Sequence, residues 1–170
     1  MKRSLFFWQF IGFTFVCVLG TILHFLYDWT NLKVLSFISA VNESTWEHMK
    51  IIFFPSLIFA VFQYFFFSSE YKNYWCIKFL GILISLLSIP IIFYTTIGIF
   101  GSSPAWFNIL SFFLSSGISF FIETMLFKSG RPECKIHAIP IILLLLILIS
   151  FIVFTIFPLN IPLFIDPRTV

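Results

Sequence analysis

Thr45-Trp46-Glu47-His48-Met49-Lys50-Ile51-Ile52-Phe53-Phe54-Pro55, opened by Asn42-Glu43-Ser44, is the stretch on which the fold turns. Its apolar part begins at Ile51, and residues 51–67 alone fall short of the roughly 20 residues a helix needs to cross a bilayer core. The helix reaches full length only when the turn and a half from Thr45 to Lys50 forms its outer end. Ser44-Thr45-Trp46-Glu47 fits a capping box, with Ser44 as N-cap and Glu47 at N3, so a helix starting at Thr45 has a physical reason to start there. The expectation is a second span over residues 45–67.

Working outward, four more segments are long and apolar enough to cross: residues 5–27, 75–100, 105–127 and 138–157. Pro55, Pro90 and Pro140 fall inside or near the ends of these helices and should bend or start them. Residues 32–41 (Leu-Lys-Val-Leu-Ser-Phe-Ile-Ser-Ala-Val) are too short to span and read as an interfacial helix or a re-entrant loop. There is no internal repeat. The fold expected is all-α, a polytopic transmembrane bundle of about five spans plus that short segment, forming one integral membrane domain over residues 1–170. Its main partner is the lipid bilayer.

Composition agrees. The chain is 60% hydrophobic and 22% aromatic, with only 10% charged residues, against roughly 25% in soluble domains. Mean hydropathy is +1.06. A net charge of +3, scattered between apolar segments, excludes a nucleic-acid reading. Cys17, Cys76 and Cys134 are far apart and lack C-x-x-C spacing, so they suggest neither a zinc site nor a disulfide framework. Lys2 and Arg3 precede an apolar run too long for a signal h-region and without a small-x-small cleavage site, so the first span is expected to be retained. The Phe-, Ile- and Lys-rich repertoire fits low-GC bacterial coding.

Lys and Arg placement sets the orientation. With the N-terminus inside, Lys2, Arg3, Lys72, Lys78, Lys128, Arg131 and Lys135 fall on the cytoplasmic side. Lys33, Lys50 and Arg168 fall outside. Seven against three predicts N-in and C-out in the plasma membrane. Trp8 and Trp75 near inner ends, and Trp29 and Trp106 near outer ends, read as an aromatic belt; Trp46, also near an outer end, is excepted because it sits inside a polar stretch.

The polar residues then concentrate at the outer side. His24 and Asp28 share one face of the first helix at i,i+4. Glu43 and Glu47 have the same spacing, with His48 adjacent and Lys50 one turn on. Because the connection is short, the two sets can converge. The candidate ligand-binding residues are His24, Asp28, Asn42, Glu43, Trp46, Glu47, His48 and Lys50. Imidazole and carboxylate together suit a divalent metal, for which His24, Asp28, Glu47 and His48 are the candidate ligands. They also suit general acid–base work. Capping alone explains Ser44 and Glu47 but not His48 or the His24/Asp28 pair. No H-E-x-x-H or comparable metal signature is present.

Elsewhere, Lys78 and Glu123 lie at similar depth near the inner ends of the third and fourth helices, and a pair between them is the economical reading. Gln63 and Tyr64 lie at that depth too. His137 sits in the basic inner loop, opposite His24 and His48, so the three histidines cannot form one zinc site. Tyr94, Thr95, Thr96 and Asn108 are candidate walls of an outward-facing pocket. Asp166-Pro167-Arg168 can fold back over the cluster through an Arg–carboxylate contact.

His24-Phe25-Leu26-Tyr27-Asp28-Trp29, then Val41-Asn42-Glu43-Ser44-Thr45-Trp46-Glu47-His48-Met49-Lys50 running into Phe54-Pro55, and the ending Pro162-Leu163-Phe164-Ile165-Asp166-Pro167 resemble a family of small bacterial membrane proteins of unknown function, seen mainly in Firmicutes. The resemblance covers essentially the whole chain and rests on the Asn-Glu-Ser-x-Trp-Glu-His string. It implies a compact multi-helix membrane domain and carries no activity. The functional expectation from the residues is an outward-facing polar site that binds a small polar solute or ion, with transport as its use. The alternatives are a membrane-embedded, metal-assisted hydrolase or transferase at the outer leaflet, and an accessory protein whose cluster only caps a helix.

Overall fold

The computed structural model describes residues 4–168; Lys2 and Arg3, which enter the orientation count, and the last two residues of the tail lie outside them. Five long helices follow one another: α1 (Leu5–Thr30), α2 (Thr45–Phe67), α3 (Tyr74–Phe100), α4 (Ala105–Ser129) and α5 (Ala138–Ile156). All five are long and apolar enough to cross a membrane. Among the described residues there is no strand. The expected spans match these helices to within a few residues.

Helices α1 to α4 close into a ring, each packed on its chain neighbour and α4 returning to α1, while α5 leans on α3 from outside. The core is built from Val16, Ile52, Phe53, Phe59, Ala60, Ile82, Phe112 and Phe120. Much of α5 stays uncovered: Ile142, Leu145, Leu146 and Ile149 are all exposed. A helix that is apolar all round and packed on one side is suited to lipid on the other. Gly20 is where α1 meets α2 and α4. A Cβ there would overlap the Phe112 ring and stand 3.0 Å from the Ile51 carbonyl. Pro55, inside α2, has no N–H to offer that carbonyl one turn back. The bare α1 backbone therefore covers a group that the proline leaves exposed.

Ser44 is the N-cap of α2, in extended conformation, and its hydroxyl accepts from the Glu47 N–H. The reciprocal half of the capping box is not made. Ser44 N–H donates to Asn42 Oδ1 at 2.9 Å, and the Glu47 carboxylate turns elsewhere. Residues 32–41, the segment expected to be interfacial or re-entrant, leave Leu32 and Val34 exposed. They form a 3-10 turn, Lys33–Phe37, then fold back on α1. There the Ser39 hydroxyl donates to the Leu23 carbonyl at 2.7 Å, and Ala40 N–H donates to the same oxygen at 3.2 Å.

One sequence expectation is overturned. Cys76, at the start of α3, and Cys134, in the loop between α4 and α5, are paired as a disulfide, with Cα atoms 6.3 Å apart. Wide sequence spacing hid the pair, because the loop returns to the end of the bundle where α3 begins. Cys17 is buried and unpaired.

Candidate functional site

Two polar clusters occupy opposite ends of the bundle. At the first, His24 projects from the last turns of α1, Glu43 from just before the N-cap of α2, and His48 from the first turn and a half of α2. Each offers one ligand atom, and the three atoms lie within 4.8 Å of one another. His48 Nε2 is 3.5 Å from Glu43 Oε2, and His24 Nε2 is 3.8 Å from Glu43 Oε1. Both separations are too long for good hydrogen bonds, so the three groups face a gap rather than close on one another. His48 Nδ1 lies 2.9 Å from the Ser44 carbonyl. A carbonyl accepts only, so Nδ1 carries the proton, and in the neutral ring Nε2 presents its lone pair toward Glu43. His24 Nδ1 is sealed from solvent without a hydrogen-bond partner.

Glu43 and His48 also border a small cavity completed by Thr45, Ile89, Phe93, Asn108, Ser111 and Phe112. It offers the centre of a water-sized sphere about 20 Å³, room for a water or a bare ion. Of the four wall residues expected, only Asn108 lines it. Tyr94 and Thr95 face outward, and the Thr96 hydroxyl bonds its own helix at Ile92.

The tail closes over this end. Phe164 stacks on Trp46 with ring centroids 4.7 Å apart, and Phe154 joins them at 5.5 Å. This anchor places Asp166 to accept the Glu43 backbone N–H at 3.2 Å, and sets Arg168 Nη1 3.8 Å from Glu43 Oε1. Asp166 and Arg168 also bond each other directly, at 2.8 Å. The Arg168 guanidinium, helped by the backbone N–H groups of Arg168 and Glu43, holds the Asp166 carboxyl down at about 2.

The remaining candidates go elsewhere. Glu47 and Lys50 pair at 2.5 Å, with side chains 4% and 0% exposed. Glu47 also accepts the Val41 N–H, and Lys50 donates to the Ser36 carbonyl and the Thr155 hydroxyl. This pair therefore ties the connecting loop and α5 to α2. Asn42 is used in the turn before Ser44. Trp46 packs inward on Phe151, Phe154 and Phe164 rather than joining a belt. Asp28 is exposed beyond His24, near enough to act on it electrostatically but outside the ion-pair set. Glu43 thus stands in the metal-capable set where the sequence reading had Asp28 and Glu47.

At the opposite end, the Lys78 ammonium lies 2.6 Å from Glu123, both fully buried, and over the rings of Phe59 and Phe120. Gln9 donates to Glu123, Gln63 donates to Gln9, and the Tyr74 hydroxyl donates to Gln63 and to the Ala60 carbonyl. Gly81 leaves the room that the Glu123 carboxylate fills. The pair was legible in the sequence, but Gln9 and Tyr74 were missed. Gln9 carried a signal, as the one amide within the apolar run of the first helix. His137 lies at this end, exposed, at the start of α5.

Between the clusters, α4 presents Asn108, Ser111, Ser115, Ser119 and Glu123 at helical spacing on its inner face. Ser115 is fully buried with its hydroxyl unpartnered. The fold and these two clusters define a multi-pass helical bundle with a polar pocket at one end and a buried ion-pair network at the other. The chain belongs to a family of unknown function (DUF6512), whose model matches residues 2–170. No match was found among curated proteins, and none among solved structures.

Proposed function

We propose that this protein is an integral protein of the plasma membrane, N-terminus on the cytoplasmic side, that binds a small solute or ion at His24, Glu43 and His48 on the outer side. One observation carries the reading: three side chains able to hold a ligand bring their donor atoms within 4.8 Å of one another, beside a cavity with room for a bare ion. The seven-to-three Lys and Arg distribution supports the orientation. A purely capping role is disfavoured because the cap uses Ser44, and the loop is latched by Glu47 and Lys50. Neither device needs His24 or Glu43. If the bound species is carried across, the inner face of α4 is its route, since Ser115 and Ser119 supply buried polar atoms on that face between the two clusters. A metal-assisted hydrolase at the outer leaflet would use the same three side chains and takes second place.

The test is thermal stabilisation of detergent-purified protein by a panel of cations and small polar solutes, run beside Glu43→Gln. A ligand that binds the folded state raises the melting temperature by mass action. Stabilisation of the wild type that Glu43→Gln loses supports the site. No stabilisation by any panel member, or equal stabilisation of both proteins, overturns it.

A further inference from the structure

Resting on that reading, we infer that the ligand is a divalent transition-metal ion, zinc in the first place, held by His24 Nε2, His48 Nε2 and one Glu43 oxygen, with a fourth position open to the cavity. The donor set decides the class. Two imidazoles and one carboxylate suit zinc and its first-row neighbours, whereas magnesium and calcium take oxygen ligands. The spacing agrees. Around a tetrahedral zinc with bonds of about 2.1 Å, neighbouring ligand atoms stand about 3.4 Å apart. His48 Nε2 lies 3.5 Å from Glu43 Oε2, His24 Nε2 lies 3.8 Å from Oε1, and the three ligand atoms lie within 4.8 Å of one another, so side-chain movements of about 1 Å or less per group gather them around one ion.

The surroundings agree as well. The His48 Nδ1 contact with the Ser44 carbonyl is the outer-shell bond that fixes a ligating imidazole in the right tautomer. Thr45, Asn108 and Ser111 line the cavity on the open side, where a water or solute would complete the coordination. Lys50, the nearest buried cation in sequence, is committed to Glu47 and does not compete. Arg168 does compete, because its guanidinium lies 3.8 Å from Glu43 Oε1, the oxygen that faces His24. Metal binding should therefore displace the guanidinium from Glu43 while the Asp166–Arg168 clasp persists.

The experiment uses full-length protein in detergent, stripped with a chelator and titrated calorimetrically with Zn²⁺. Co²⁺ is then added to the wild type as a spectroscopic probe. We expect one equivalent of Zn²⁺ and the intense visible absorption of a four-coordinate Co²⁺ site with nitrogen and oxygen ligands. Affinity should fall by at least about 100-fold in Glu43→Gln and in His48→Ala, because loss of an outer-shell partner alone costs roughly 10–100-fold. Arg168→Gln should bind at least as tightly as wild type. Less than half an equivalent of Zn²⁺ in the wild type, an octahedral Co²⁺ spectrum, or unchanged affinity in Glu43→Gln overturns the inference. The Co²⁺ spectrum needs no variant, so a variant that fails to fold does not spare the idea. If Zn²⁺ fails while a metal-free solute stabilises the wild type but not Glu43→Gln, the site stands with a different ligand; if both fail, both readings fall.

Discussion

The Lys50 ammonium lies 2.5 Å from the Glu47 carboxylate, and neither side chain reaches solvent. Two residues that look like site residues in the sequence are instead the bolt of the outer loop. Breaking a buried pair from one side strands a charge and costs about 3–5 kcal/mol, whereas replacing both partners by apolar groups is often near neutral. Glu47→Gln and Lys50→Met should therefore each lower the melting temperature sharply, and the double Glu47→Leu/Lys50→Met should recover much of the loss. A double variant as unstable as the sum of the singles would show that the pair is not the unit that matters.

At the other end the prediction concerns an amide. Gln9 bridges Glu123 and Gln63 in a region fully closed to water. Gln9→Leu takes an acceptor from Gln63 and a donor from Glu123, and a buried polar group left unpaired costs about 1–3 kcal/mol. Tyr74→Phe removes one hydroxyl whose principal acceptor, the Ala60 carbonyl, belongs to a helix, and its expected cost is about 0.5–1.5 kcal/mol. Thermal melts of the two variants should rank Gln9→Leu as the more damaging. The reverse order would mean that Tyr74, not Gln9, holds the network together.

Much of this architecture follows from the apolar content and length of the segments, because a bilayer core demands the same span of every helix. The Lys78–Glu123 pair was legible for a related reason: a lone charge at that depth needs a partner. The outer site was harder to read. Helical spacing places Glu43 and Glu47 on one face only if both are helical, and Ser44, extended at the N-cap, breaks the phase between them. Glu43 then turns to the histidines and Glu47 to Lys50. The Trp46–Phe164 contact joins residues 118 apart in sequence (164 − 46), and no local pattern announces such a pairing. The cysteine pair escaped for the same reason.

Cys76 and Cys134 turn the orientation into a chemical question. They lie at the end of the bundle with the most Lys and Arg, which the charge rule puts in the cytoplasm. Thiols are kept reduced there, while disulfides persist on the oxidising side. With the N-terminus inside, both should be thiols in intact cells and pair only after isolation in air. Alkylation in cells with a mass-tagged maleimide, before and after reductant, reads this directly. Two reactive thiols before reductant agree with N-in. Labelling that appears only after reductant inverts the topology and moves the His24–Glu43–His48 site to the cytoplasmic face.

The tail makes the last prediction. Its position over the site depends on the Phe164 ring, packed on Trp46 and Phe154, and on the Asp166 carboxylate that accepts from Glu43 and clasps Arg168. The clasp is local, so it survives if the tail lifts; the ring contact and the Glu43 bond do not. Phe164→Ala removes the anchor, and burial lost by a large side chain is worth about 2 kcal/mol or more. The tail should then lift while the bundle, whose core lies elsewhere, keeps its melting temperature within a few degrees. Trypsin can cut after Arg168, and release of the last two residues is visible by mass. That cut should come several-fold faster in Phe164→Ala and in Asp166→Asn than in wild type. Equal rates in all three proteins would show that the tail is not held over Glu43, and Arg168 would then lose its place as the cation competing for that carboxylate.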